Sequence, residues 1–384
     1  MPRHPEVAAT AHGMPGSVYS ALAHRLETFD GEVYPLHVGD TWMEPAAGCR
    51  MQDLTIEEFP GMHRYAPPQG LPALLEAIAA EHQSATGVPT SRAEVLVAAG
   101  ATGALGAVAG AVFDPGDEVL LLAPYWPLIS GIVLAAGAQP VVVPFFEDGR
   151  TPDDPIERLE RSFGRRTVAL YFNSPNNPTG AALSDDVLAE LAAWAAARDL
   201  WVLADEVYEH YLYTGEHAYA RPHAPERTFS THSFSKAFGM AGNRCGYVVG
   251  PAPAMGELRK ISTHTFYSTP TASQLAALRA LENGRGREWA RAARETYREV
   301  GVAAATRLGL PSPEGSTFLF LDIADRLDEG GMMTFLERAV DRGLFAAPGG
   351  SFGPYDTHVR ICFTSAPPDV VGRGVEVLAE LLGR

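Results

Sequence analysis

The sequence predicts an α/β protein. A three-layer large domain surrounds a mainly parallel sheet, and a smaller α+β domain is built from the N- and C-terminal segments. Three observations point there. Short apolar runs recur through the middle of the chain, segments with helical patterning lie between several of them, and an Arg/Glu-rich helix changes the texture near residue 285. Runs that stay apolar at successive positions fit strands buried on both faces, as in a parallel sheet covered by helices. A chain of 384 residues can bury a large core.

The elements follow in order. "EVLVAAG" (94–100) reads as a strand ending at glycine, and the small residues of "ATGALGAVAGAVF" as the helix after it. "DEVLLLAPYW" (117–126) is a strand entered through a Pro-Gly-Asp turn. Further strands are read at "QPVVVPF" (139–145), "RTVALYFNSP" (166–175), "LWVLADEVY" (200–208), "TFSTHSFSK" (228–236) and "RCGYVVG" (244–250). "SDDVLAELAAWAAARD" is helical, with Ser184 as its N-cap. Beyond residue 285 come the long helix "GREWARAARETYREVGVAAATRLG", the strands "STFLFLDI" (316–323) and "HVRICFTS" (358–365), and a last helix. The large domain is therefore expected over 46–284. The small domain takes 285–384 together with 1–45, which precede the first strand of the sheet.

Composition narrows the function. A net charge of −16 argues against a nucleic-acid or anionic-membrane surface, both of which need clustered positive charge. Cys49, Cys245 and Cys362 show no ligand spacing, so neither a metal site nor a disulfide framework is expected. No apolar run is long enough for a membrane span. The first residues lack the apolar core of a signal peptide, so a cytoplasmic location is expected.

Only two of the 30 basic residues, Lys236 and Lys260, are lysine. A solvated salt bridge works with arginine, but an amine that attacks a carbonyl must be lysine, because guanidinium stays protonated. Lys260, beside Arg259, reads as a surface lysine. Lys236 stands in "SFSKAFGMAGNRCGYVVG" (233–250), where small residues let a planar group approach the backbone. Arg244, eight residues on, suits a bidentate pair with phosphate, helped by the Ser233 or Ser235 hydroxyl. The pattern is either a leftover surface lysine or an imine to a phosphorylated cofactor.

Four other segments carry comparable alternatives. Gly100, Ala101, Thr102 and Gly103 offer backbone N–H groups at a helix start, or simply tight packing. Asp205, at the end of "LWVLAD", either caps the next helix or meets a protonated pyridine nitrogen, with Tyr208 near a phenolic oxygen. "NSPNNPTG" (173–180) is a tight loop that also presents Asn177. Trp126 in "APYWPLI" is either core or a surface on which a flat ring stacks.

Together "YAPPQGLPALLEAIA", "DPGDEVLLLAPYW", "NSPNNPTG", "ADEVYEHYLY" and "SFSKAFGMAGNRCGYVVG" resemble the class I/II pyridoxal-phosphate-dependent aminotransferase family, with the aspartate aminotransferase fold (fold type I). The resemblance runs in order through about residues 30–365. It implies that pyridoxal 5'-phosphate is bound and that an amino group moves between an L-amino acid and a 2-oxo acid. Lys236 would be the Schiff-base lysine and proton shuttle. Asp205 would pair with the pyridine nitrogen, Asn177 and Tyr208 would contact the phenolic oxygen, and Trp126 would stack on the ring. Ala101, Thr102, Ser233 and Arg244 would hold the phosphate. Tyr65 resembles the tyrosine that reaches a neighbouring subunit's phosphate, which implies a homodimer with shared sites. Arg360 matches the arginine that takes the substrate α-carboxylate, and Gly39 matches a glycine at the same end.

Two features depart from the pattern. The phosphate loop reads Gly-Ala-Thr, and "LHVGDTWMEP" replaces the commoner motif near the substrate. No second arginine for a dicarboxylate side chain can be placed, which favours a neutral or aromatic side chain and leaves dicarboxylates open. The alternative is another enzyme of the same cofactor and fold type acting on amino acids: a β-lyase, cyclase or oxidase. A cofactor-sensing transcription factor would need more than the first 45 residues. A dinucleotide dehydrogenase would need a glycine fingerprint that is absent here.

Overall fold

Seven strands from the middle of the chain form one sheet. The computed structural model describes residues 6–14, 16, 22, 25, 28–146 and 150–384. The rest of the expected 1–45 segment lies outside the described residues. The strands are β1 (Tyr34–Pro35), β2 (Val95–Ala98), β3 (Glu118–Ala123), β4 (Gln139–Pro144), β5 (Thr167–Asn173), β6 (Trp201–Asp205), β7 (Thr228–Ser233), β8 (Gly246–Val249), β9 (Phe318–Asp322), β10 (Leu344–Phe345), β11 (Ala347–Pro348) and β12 (His358–Cys362).

The large sheet has the order β2-β8-β7-β6-β5-β3-β4. Its β4-β3-β5-β6-β7 run is parallel, and β8 lies antiparallel to both β7 and β2. Strands β2 to β7 therefore point one way, and all end at the edge where β8 begins. Ligands of such sheets lie beyond that carboxyl edge.

Alternate residues of the apolar strands serve opposite faces. Leu121, Tyr171 and Leu203 face one layer, where they meet Leu105, Val108 and Leu258. Leu120, Leu122, Phe172 and Val202 face the other, against Leu188, Leu191 and Trp194. Both faces are covered, which is why these strands show no polar alternation. Each buried leucine contributes about 1.5–3 kcal/mol. The helix Asp185–Ala197 starts where expected: the Ser184 hydroxyl accepts from the Val187 N–H at 3.3 Å.

A separate core gathers Leu36, Phe318, Phe335, Phe345 and Val359. Around it lie the antiparallel sheet β11-β12-β9 and the parallel pair β1-β10. The helix Arg285–Leu308 adds Ala293, Tyr297 and Leu308 to that core. Among the described residues no helix is long and apolar enough to cross a membrane.

One strand stops earlier than the sequence suggests. β7 ends at Ser233, and Lys236 lies in the helical turn Phe234–Ala237. The Ser233 hydroxyl caps that turn by accepting from the Ser235 N–H at 3.0 Å, which takes the chain out of the sheet. Arg244 likewise precedes β8, in a left-handed conformation with φ 51°.

The helix Gly100–Val112 starts against β8. A Cβ added at Gly246 would lie 2.7 Å from the Ala101 nitrogen, the Gly100 carbonyl carbon and the His232 oxygen. Only glycine fits between those backbones. Gly246→Ala is expected to cost about 1–3 kcal/mol through overpacking, read as a lower midpoint in thermal unfolding. An unchanged midpoint would contradict the close approach.

Candidate active site

At the carboxyl edge a cleft of about 310 Å³ opens between the two cores. Its floor is set by Asp205, the last residue of β6, which is buried. The Tyr171 hydroxyl donates to Asp205 Oδ2 at 2.9 Å, whereas Oδ1 has no partner. Burial pushes the carboxyl up to about 7, although the Tyr171 and Val207 donors favour the charged form. Beside it, Asn173 at the end of β5 works in two directions. Its Nδ2 donates to the Asp205 carbonyl at 2.7 Å, and its Oδ1 accepts from the Asn177 N–H at 2.6 Å. The polar loop is thus tied to the strand that carries the carboxylate.

Ala101 and Thr102, in the first turn of the helix Gly100–Val112, line the far end of the cleft with Ser233, Ser235 and Arg244. Gly100 has φ +72°, and a Cβ there would lie 2.6 Å from an Arg244 guanidinium nitrogen. The conformation calls for glycine, and a side chain there would push the Arg244 guanidinium aside. Arg244 donates to the Ala241 carbonyl at 3.0 Å and to the Ala99 carbonyl at 3.4 Å, which keeps the guanidinium against the helix start. Helix dipole, hydroxyls and guanidinium together make an anion seat.

Lys236 projects between these ends. Its Nζ donates to the Gly39 carbonyl and lies 3.9 Å from Asp40 Oδ1. Burial lowers its pKa, so the uncharged amine is more available than in a surface lysine. The Tyr211 hydroxyl donates to the Lys236 carbonyl at 2.6 Å and anchors the backbone.

Arg360, on β12, is buried and closes the remaining side. It donates to Asn177 Oδ1 at 3.0 Å and to the His37 carbonyl. Its guanidinium lies over the rings of Phe318 and Phe352, 4.3 and 4.8 Å from their centroids. Burial and this neighbouring cation bring His37 down to about 4. Tyr208 stands edge-on to Phe318 at 5.7 Å, and burial raises its pKa, so its hydroxyl remains protonated.

The cleft gathers Gly39, Ala101, Thr102, Trp126, Asn177, Asp205, Tyr208, Ser233, Lys236, Arg244 and Arg360 from seven separated stretches of sequence. Tyr65 is not among them; it is 85% exposed and meets Tyr267 edge-on at 5.0 Å. The sequence reading missed Tyr171 and Asn173. Tyr171 hides in an apolar strand, where an aromatic residue signals only packing. Asn173 was quoted as part of the loop, but nothing local revealed that it bridges two strand ends.

The arrangement suits a flat ligand with a proton-bearing ring nitrogen, a phosphate and a carbonyl. The unpartnered Asp205 oxygen needs a donor, the anion seat needs a phosphate, and the amine of Lys236 faces the space between them. The residues fit pyridoxal 5'-phosphate.

Residues 34–378 match the family profile described as aminotransferase class I and II. The aspartate/prephenate aminotransferase of Thermus thermophilus is 36% identical over 331 residues, covering 84% of this chain and 84% of that protein. The arginine–pyruvate transaminase of Pseudomonas aeruginosa is 34% identical over 380 residues, 95% of this chain and 94% of that one. The solved structure of the Thermus thermophilus aspartate aminotransferase with maleate superposes with a TM-score of 0.89 at 32% identity, covering 98% of this chain and 100% of that one.

The Asp205 environment has a measurable consequence in protein stripped of cofactor. Its folded-state pKa of about 7 exceeds the ordinary 3.8, so the folded chain holds the proton more tightly than the unfolded one. That contribution to stability is complete below about pH 4 and is lost as pH rises through about 7. Asp205→Asn is therefore expected to stabilise the stripped protein at pH 8 by at least about 1 kcal/mol and to give no such gain at pH 4. Urea unfolding of both proteins across that range checks the sign.

Proposed function

The chain belongs to the class I and II aminotransferase family and is an aminotransferase, and on that premise we propose that it works with pyridoxal 5'-phosphate held in the cleft of Lys236, Asp205, Arg244 and Arg360. The observation that carries this reading is the buried, unpartnered Oδ1 of Asp205 in the same cleft as the half-buried amine of Lys236. Relatives named for aspartate/prephenate and for arginine–pyruvate exchange support an amino-acid donor and a 2-oxo-acid acceptor.

Bound there, pyridoxal phosphate supplies a carbonyl that condenses with amines and a conjugated ring that takes up the electron pair left on Cα. The chain supplies the rest. Asp205, with Oδ1 unpartnered, would accept from the ring nitrogen and favour the cationic ring. Tyr208 and Asn177, both lining the cleft, would contact the phenolic oxygen. Ala101, Thr102, Ser233 and Arg244 bind the phosphate, and Trp126 covers a ring face. Arg360, oriented by the His37 carbonyl and Asn177, takes the substrate α-carboxylate by its guanidinium fork. Gly39 leaves room at that end. Lys236 would be the residue that links to the cofactor's carbonyl, and its Nζ would hold the Cα proton. Burial lowers its pKa, which favours the uncharged amine that can act as a base.

Residues 46–284 form the cofactor-binding domain in this reading, and 1–45 with 285–384 form the smaller one. The separate cores of the large sheet and of β9–β12 support that division. The protein acts as a cytoplasmic homodimer in which Tyr65 reaches the phosphate of a second copy. The exposed pair Tyr65 and Tyr267 supports a partner on that face.

Lys236→Ala is expected to abolish both amino transfer and the visible absorption of bound cofactor, whereas Lys260→Arg, at an exposed residue paired with Glu257, matches the parent. Asp205→Ala should lose at least about tenfold more rate than Tyr208→Phe, because it removes a charge partner and not one hydrogen bond. The assay supplies candidate amino acids one at a time with 2-oxoglutarate. Ammonia or pyruvate released without any oxo-acid acceptor would overturn amino transfer in favour of a lyase-type reaction.

A further inference from the structure

We propose that Tyr171 is a positioning residue for the cofactor's ring nitrogen: its hydroxyl pins one oxygen of Asp205 so that the other alone faces the cleft. The proposal rests on the reading that Asp205 meets the ring nitrogen of pyridoxal phosphate.

Strand geometry explains why Tyr171 can do this. In the parallel pairing of β5 and β6, Tyr171 stands opposite Leu203 and Asn173 opposite Asp205. Residues two apart share a face, so Tyr171 is the diagonal neighbour of Asp205, a distance that a long aromatic side chain spans. The ring is fully buried among Leu121, Leu203 and Phe229. Its hydroxyl donates to Asp205 Oδ2 at 2.9 Å. Burial and the adjacent carboxylate raise the Tyr171 pKa well above its ordinary value, so the hydroxyl stays a donor at any working pH.

A carboxylate rotates readily about its last bond, which has a broad two-fold preference. Without the tyrosine hydroxyl, only the Val207 N–H remains to orient the carboxylate, and the oxygen that faces the cleft is no longer fixed. The charged form of Asp205 also loses a donor, so its proton affinity rises. A proton shared between the ring nitrogen and Asp205 then moves toward the carboxylate, and the ring becomes less cationic. A less cationic ring makes the lysine-linked imine more basic. The other ionisable groups facing Asp205 are Tyr208 from the following loop, His232 from β7 and the adjacent Glu206. None is altered by removing the Tyr171 hydroxyl.

The test compares the parent with Tyr171→Phe, which keeps the ring and its packing. The pH midpoint of the visible absorption of the loaded protein is titrated, and the affinity of stripped protein for pyridoxal phosphate is measured by calorimetry. Loss of one hydrogen bond to a charged group is expected to raise the midpoint by about one pH unit and weaken cofactor binding by about tenfold. Tyr213→Phe is the control. It removes another buried hydroxyl, which donates to the Ser316 carbonyl at 2.6 Å, and is expected to lower thermal stability without moving the midpoint. A Tyr171→Phe protein with the parent's midpoint and affinity would overturn the proposal, whatever its stability. A parent protein that shows no visible band at all would refute the cofactor reading instead.

Discussion

The architecture depends on the burial of one carboxylate. Asp205 lies at the end of a strand with apolar layers on both sides, and a charge placed there without a partner is costly. Tyr171 satisfies one of its oxygens, and a bound cation is needed for the other. Two neighbouring strands make the placement possible. β5 supplies both Tyr171 and Asn173 from the same face, and the parallel register keeps them beside Asp205. The large sheet carries this polar edge because its covered faces hold it rigid.

Charge in the cleft runs opposite to charge on the molecule. The chain carries −16 overall, yet the cleft lining contains Lys236, Arg244 and Arg360 against the single carboxylate of Asp205. Low-dielectric walls concentrate that local field. An acidic surface keeps bulk anions away non-specifically, while the cleft attracts those small enough to enter. Each cation is set differently. Lys236 is made less basic by burial, Arg244 is braced by backbone carbonyls, and Arg360 rests between two aromatic faces.

The parts legible in sequence were those whose chemistry excludes substitutes. Lysine is so scarce that Lys236 declared itself, and Asp205 ends an apolar strand where a charge has no ordinary reason to be. The fold followed from strands that lack alternation, because both sheet faces are covered. Tyr171 was invisible for the same reason: in a strand buried on both sides, a tyrosine looks like any other large residue. Its role lies in a contact 34 residues away in sequence. The Arg360 support was equally hidden, since Phe318 and Phe352 join it only through the folded small sheet. The end of β7 was misplaced because a strand pattern continues through Ser235, whereas the Ser233 cap turns the chain first.

The reversal between β7 and β8 has a wider meaning. Lys236 and Arg244 sit on the one connection between two antiparallel strands, whose register pairs Ser233 with Gly246. Their separation is thus set by chain length and sheet pairing, with the Tyr211 hydroxyl and the Arg244 hydrogen bonds holding each end. The connection acts as a gauge: it admits a ligand only if the distance from its carbonyl to its anionic end matches the span of this loop. Inserting or deleting a residue there would recalibrate the gauge.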